Sequence, residues 1–198
     1  KAFLTDEGFA NTNTGLQVLG GSGFTQDWPI EQYVRDGRIA RIYEGTNGIQ
    51  AMDLVGRKLS LKGGQLVRTL FAELTGYLKE NPQAPHREEL KGAIKSLESA
   101  TMWIASNAPK DPEQAGAAAT PYLRLMALTV IAYLWSRMAG VAQEQLAAGD
   151  GNKPLLEGKL VSARFYFEKL LPEIQWLQQD IESGKESLMA FEDDHWSA

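Results

Sequence analysis

The 198-residue chain is 43% hydrophobic and 23% charged, with 20 basic and 25 acidic side chains and a net charge of −5. That composition suits a globular chain with a real core, roughly two-thirds of its unfolded surface, rather than a disordered one. It opposes a phosphate-backbone binder, which runs to a basic excess, so no nucleic-acid partner is expected. The absence of cysteine excludes disulfides, thiolate-held metals, iron–sulfur clusters and thiol nucleophiles. His86 and His195 are too few for a histidine metal cluster, so no metal is expected.

Lys1-Ala2-Phe3-Leu4-Thr5-Asp6-Glu7 carries two early acids and no apolar h-region. The chain does not open on methionine, and the expectation is that it begins inside a longer protein, cytoplasmic if bacterial. Residues 6–19 suit a helix, broken by Gly20-Gly21-Ser22-Gly23. Residues 29–36 suit a short helix with Pro29 early. Residues 47–61 suit another, capped by Thr46 or Asn47, with Ile49, Met52, Leu54 and Val55 on its apolar side. Eleven of the 19 glycines lie in residues 1–64. Residues 1–62 balance seven basic against seven acidic groups, whereas residues 63–198 carry the whole −5. A boundary is therefore expected near Lys62-Gly63-Gly64, giving segments 1–62 and 63–198.

The second segment reads as helices throughout. Leu66, Val67, Leu70, Phe71, Leu74, Tyr77 and Leu78 recur at helical spacing until Asn81-Pro82. Leu90, Ile94, Leu97 and Ile104 mark a second helix. Asp111-Pro112-Glu113-Gln114 reads as a capped start, and Thr120-Pro121 as a second such device opening an apolar helix to about Leu146. Its uncharged run, Leu125–Ser136, is short of the ~20 residues of a spanning helix, so a buried core helix and no transmembrane segment are expected. After the loop at 149–152, a seam from Leu156 to Ile181 runs through Pro172, predicting a kinked helix or two abutting ones. The tail from Glu186 is expected to dock through Leu188, Met189, Phe191 and Trp196. The fold class is all-α: a helical bundle with an additional C-terminal helical bundle, packed antiparallel around Leu125–Trp135.

Four features carry possible chemistry. Gly20–Gly23 fits neither a dinucleotide fingerprint, lacking its third glycine, nor a nucleophile elbow, with Phe24 in its last place. A plain turn and an anion-holding turn both remain open. Glu44 follows Ile42-Tyr43 and precedes Gly45, which removes side-chain bulk beside it; a general base and a carboxylate at a helix start both fit. Arg35, Asp36, Arg38 and Arg41 read as an ion-pair network, with a phosphate-holding role as the minority reading. His86 reads as a solvated loop residue, and the Trp and Tyr residues of the second segment as core.

Gln17-Val18-Leu19-Gly20-Gly21-Ser22-Gly23-Phe24, then Arg35-Asp36-Gly37-Arg38-Ile39, then Ile42-Tyr43-Glu44-Gly45-Thr46-Asn47-Gly48-Ile49-Gln50 resemble, in order and spacing, the C-terminal signature of the acyl-CoA dehydrogenase family. The match covers residues 1–62, the end of the catalytic core. Residues 63–198 resemble the extra helical domain of longer members, including those acting on 3-methylmercaptopropionyl-CoA. The resemblance implies FAD-dependent α,β-desaturation of an acyl-CoA thioester. It implies Glu44 as the catalytic base and Gly45 beside the bound thioester. It further implies that Gln17, Val18, Leu19, Gly20 and Gly21 contact the FAD of a neighbouring subunit, and that Thr46, Asn47 and Gly48 contact FAD as well. A homo-oligomer and an electron-transfer acceptor follow as expected partners. Ser22 and Phe24 depart from the aromatic residues many members carry. The alternative is a non-catalytic helical oligomerisation module of the same descent. The fragment by itself is expected to be inactive and to lack FAD.

Overall fold

Asp111 begins the longest helix of the chain. Its carboxylate accepts a hydrogen bond from the Glu113 amide at 3.1 Å, and Pro112 follows where a missing N–H is harmless. The computed structural model describes residues 1–196. Its helices are α1 (Ala2–Val18), α2 (Gly21–Phe24), α3 (Ile30–Ile39), α4 (Asn47–Asp53), α5 (Leu61–Glu80), α6 (Arg87–Asn107), α7 (Pro112–Ala148), α8 (Lys153–Phe165), α9 (Glu173–Ser183) and α10 (Glu186–Met189). One π-helical turn, Leu54–Lys58, follows α4, and another, Tyr166–Leu170, follows α8. No strand occurs among the described residues, so the chain is all-α, as its periodicity predicts. The residues divide into two compact units, Lys1–Leu54 and Val55–Ala198. Lys62, Gly63 and Gly64, where composition shifts, form a run of left-handed residues near the start of α5.

The second unit is organised by α7. Short turns after α6 and α7 fold α6 and α8 back along it, α9 packs on both α6 and α7, and α5 lies on α6. Leu90, Ile94, Leu97 and Ile104 of α6 meet Tyr122, Leu125, Leu128 and Ala132 of α7 and Ile174, Leu177 and Ile181 of α9 in one core. By length and composition α7 is the one helix among the described residues able to cross a bilayer. Here it is the core helix of its unit, with twelve residues buried against its neighbours.

Four expectations are corrected in this unit. Thr120-Pro121 opens no new helix: α7 runs on through Pro121. Ala115, Ala118, Ala119, Tyr122 and Leu125 are buried on either side of it, and that packing outweighs the one lost backbone bond. His86 is half-buried rather than solvated; it holds a left-handed backbone (φ 56°) at the cap of α6 and stacks on Phe167 with ring centroids 4.2 Å apart. Trp176 is exposed rather than core. The tail makes no apolar docking contact of the expected kind: Leu188, Met189, Phe191 and Trp196 are all exposed.

The seam through Pro172 resolves into two abutting helices. The Leu171 amide reaches the Tyr166 carbonyl at 2.9 Å, closing a π turn. The widened turn lets the consecutive residues Tyr166 and Phe167 both face inward, and the Tyr166 hydroxyl donates to the Leu128 carbonyl at 2.6 Å. Burial pushes the Tyr122 hydroxyl up to about 12, with its hydrogen bond to Thr101 opposing, and raises Tyr166 as well. Both hydroxyls stay protonated and serve the core.

In the first unit α1 packs against α2, α3 and α4. Gly23 is obligatory: a Cβ there would fall 2.6 Å from the Leu16 carbonyl oxygen, so only glycine lets α2 lie on the end of α1. Apolar burial is sparse, limited to Ala2 and Ala51 among side chains, while Val18 and Phe24 remain 80% and 78% exposed.

Candidate functional site

Glu44 sits at the tip of the loop joining α3 to α4. The Asn47 amide donates to the Arg41 carbonyl at 3.3 Å and closes the loop's base. Thr46 caps α4, its hydroxyl oxygen accepting from the Ile49 amide at 3.4 Å, and this selects Thr46 between the two predicted caps. Glu44 (φ 56°) and Gly45 (φ 79°) are consecutive left-handed residues. Such a conformation strains any residue bearing a Cβ, and at Gly45 a Cβ would also lie 3.0 Å from the Gln50 side-chain nitrogen. The Gln50 side chain donates to the Glu44 carbonyl at 2.9 Å, and Lys1 Nζ donates to the Gly45 carbonyl at 2.9 Å. The Glu44 carboxylate itself is exposed and takes no hydrogen bond or ion pair from the described residues.

Both ends of this loop converge on one carboxylate. Asp6 Oδ1 accepts from Asn47 Nδ2 at 2.8 Å and pairs with Arg41 Nε, so it grips the residues three before and three after Glu44. Asn47 Nδ2 also approaches the Ala2 carbonyl at 3.2 Å and Thr5 Oγ1 at 3.1 Å, and Asn47 Oδ1 accepts from Lys1 Nζ at 2.8 Å. The side chain of Asn47 is therefore a brace between the loop and α1. Nothing in the sequence marks Asp6, Gln50 or Lys1 as a partner of this loop. The only signal for Asp6 was an acid near the start of a helix, which is common enough to carry no information about a partner 41 residues away.

Gln17, Val18, Leu19, Gly20 and Gly21 lie at the other end of α1, exposed, with Gly20 left-handed (φ 60°) and open space where a Cβ would stand on Gly20 or Gly21. About 20 Å of helix separates them from the loop braced at Asp6. The structure thus brings Glu44, Gly45, Thr46, Asn47 and Gly48 together and holds Gln17–Gly21 apart from them. Arg35, Asp36, Arg38 and Arg41 are expected to form an ion-pair network; among the described residues Arg35 and Arg41 ion-pair outside the group, with Glu31 and Asp6. Arg35 pairs with Glu31 at 2.9 Å, Asp36 accepts from Gln32 at 2.8 Å, and Arg38 and Arg41 lie over the Phe9 ring. No cluster of metal-ligating side chains occurs among the described residues.

Two families of known proteins match this chain. One, described as acyl-CoA dehydrogenase, C-terminal domain, matches residues 1–59; the other, described as acetyl-CoA dehydrogenase C-terminal like, matches residues 70–192. The chain belongs to the acyl-CoA dehydrogenase family. Among curated relatives, 3-methylmercaptopropionyl-CoA dehydrogenase of Ruegeria pomeroyi is 31% identical over 96% of this chain and 33% of its own length. The broad-specificity linear acyl-CoA dehydrogenase FadE5 of Mycobacterium tuberculosis is 29% identical over 98% of this chain and 34% of its own. Mitochondrial isobutyryl-CoA dehydrogenase of Bos taurus is 48% identical, over 30% of this chain and 14% of its own. The chain spans about a third of the length of the two dehydrogenases it matches end to end. Within this acyl-CoA dehydrogenase chain the loop geometry gives Glu44 a fixed backbone and a carboxylate open to whatever lies against it.

Proposed function

We propose that this chain supplies the C-terminal part of an FAD-dependent acyl-CoA dehydrogenase, in which the Glu44 carboxylate takes the α-proton of an acyl-CoA thioester. The observation carrying this reading is an unpartnered carboxylate on a strained left-handed loop that Asp6 and Gln50 hold in place. Strain of this kind clusters where a reacting group is positioned, which supports this reading. Gly45 beside it leaves room for the thioester.

The residues present fit FAD. Gly20 and Gly21 offer backbone free of side-chain bulk, and an added Cβ at Gly48 would likewise meet nothing within 4 Å. The Thr46 hydroxyl, whose oxygen is engaged with Ile49, keeps its proton for donation. Asn47 is committed to Asp6, Ala2, Thr5 and Lys1, so its part is to hold the segment against α1. When bound, FAD supplies the acceptor for the hydride that leaves Cβ as the double bond forms. Glu44 takes up the α-proton and becomes a carboxylic acid. The length of α1 between Gln17–Gly21 and Glu44 supports service to two different flavins in an oligomer, and the exposed Val18 and Phe24 support a covered surface.

The test is anaerobic flavin reduction by an acyl-CoA in the enzyme carrying this chain. Glu44→Gln keeps size and hydrogen bonding but removes the proton acceptor, and should slow reduction by at least ~10²–10⁴-fold with FAD still bound. Glu44→Asp should retain part of the rate. Rapid bleaching in a Glu44→Gln variant of unchanged melting temperature would end the assignment. This chain expressed alone should purify colourless.

A further inference from the structure

Two exposed features of the second unit are complementary. Between α7 and α8 runs an open groove of about 380 Å³, floored by Leu134, Met138, Val141 and Leu155, all substantially exposed. Its only charged lining residues are cations, Arg137 and Lys159. Among the described residues neither is matched to a carboxylate at the groove: Arg137 donates to the Tyr133 hydroxyl at 3.0 Å, and Lys159 sits 5.7 Å from the Trp135 ring centroid.

The second feature is the tail. Phe191 packs edge-on against Trp196, with centroids 4.9 Å apart, and against His195 at 5.2 Å. The Glu192 amide donates to His195 Nδ1 at 2.9 Å and closes the turn. The result is a preformed aromatic knob, with Phe191 and Trp196 58% and 77% exposed, on a segment bearing Glu192, Asp193 and Asp194 and no Lys or Arg. An acidic aromatic knob and an apolar groove rimmed by cations match in both shape class and charge.

The tail starts far from the groove of its own chain. Lys185 fixes its start beside the beginning of α7: Nζ lies 2.6 Å from Asp111 Oδ2 and also pairs with Glu113, and the Lys185 amide donates to Gln114 Oε1 at 3.1 Å. From Gln114 to Leu134, the near end of the groove, α7 rises about 30 Å. From Lys185 to Phe191 a fully extended chain spans only about 20 Å. Placing Phe191 at its own groove would require unwinding α10 and would still leave its backbone about 10 Å short of the near end. We infer that the 186–196 tail of one copy of this chain seats its Phe191–Trp196 knob in the α7–α8 groove of a second copy, with Glu192 and Asp193 against Lys159 and Arg137.

The absence of cysteine makes a direct test available. Gly158→Cys, next to the groove residue Lys159 on α8 and with open space around it, and Ala190→Cys, beside the knob, leave every contacting side chain in place. The full chain carrying one change is mixed with the full chain carrying the other and gently oxidised. The 158–190 disulfide should form at least about tenfold faster than one between Ala190→Cys and Met102→Cys, an exposed site on α6, because docking raises local concentration. Lys159→Glu should remove that preference, and Glu192→Lys with Asp193→Lys should restore it. Equal rates at the groove and at position 102 would overturn the inference. So would rapid internal closure, at high dilution, of a chain carrying both cysteines, which would put the tail in its own groove. A preference that survives Lys159→Glu unchanged would overturn it as well.

Discussion

Asp6 and Asn47 stand 41 residues apart in sequence and 2.8 Å apart in the fold, and the same Asp6 carboxylate pairs with Arg41. Glu44 lies midway between the two residues that Asp6 holds. If Glu44 is the base proposed above, Asp6 is a positioning residue, holding the loop without touching a reacting atom. In the enzyme carrying this chain, Asp6→Ala should lower kcat by about 10–10²-fold, since small misplacements of a reacting group are costly. Asp6→Asn, which still accepts from Asn47 but loses the Arg41 charge pair, should fall between. The check is kcat and KM at matched thermal stability. A change confined to melting temperature, with kcat per folded molecule intact, would reduce Asp6 to a structural tie.

Gly45→Ala should open the loop. Gly45 is left-handed (φ 79°), and its Cβ would stand 3.0 Å from the Gln50 nitrogen that holds the Glu44 carbonyl. A side chain in that conformation costs about 1–2 kcal/mol. Native-state hydrogen exchange of amides 44–50 should report an opening free energy lower by that amount, with amides of α6 and α9 unchanged.

The Lys185 anchor predicts an asymmetric pH response. Its hydrogen bond with Lys185 holds Asp111 below the usual carboxylate range, with burial opposing; Asp111, then Glu113, raises Lys185 above the usual lysine range. Asp111's contribution is present above its unfolded value of about 3.9 and is lost as pH falls through its lowered folded value. Lys185's is present below about 10.4 and is lost as pH rises through its raised one. Anchorage of residues 185–189 should therefore be flat across neutral pH and release in strong acid. Hydrogen exchange or limited proteolysis at this segment reads it directly. Lys185→Met should release the segment at neutral pH and abolish its acid dependence.

Core and groove leucines should differ sharply. Leu97 is fully buried between α6 and its neighbours, so Leu97→Ala should cost about 2–5 kcal/mol in urea unfolding. Leu155, 59% exposed, should change stability of the isolated copy by less than about 0.5 kcal/mol when made alanine.

The helices of the second unit were legible because each is written within a few turns of chain. Leu90, Ile94, Leu97 and Ile104 repeat at helical spacing, and Asp111-Pro112 announces its cap within three residues. Thr46 was legible for the same reason, as one of two candidate caps: a cap is a local event. The family, too, was readable, since its three blocks lie within the first fifty residues.

Tertiary contact decided the rest. Thr120-Pro121 reads as a helix start by local rules, yet α7 runs straight through it because burial on both sides outweighs one lost bond. His86 is polar by composition, yet Phe167, eighty-one positions on, gives its ring a stacking partner. The tail's apolar residues announce burial but not against what, and the anchor at Lys185 leaves them exposed on their own chain. Most of all, the loop that carries Glu44 is held at both ends by Asp6, an acid in the first turns of α1. Local periodicity records which face of a helix is apolar; it holds no record of which distant carboxylate will meet an amide when that face is buried.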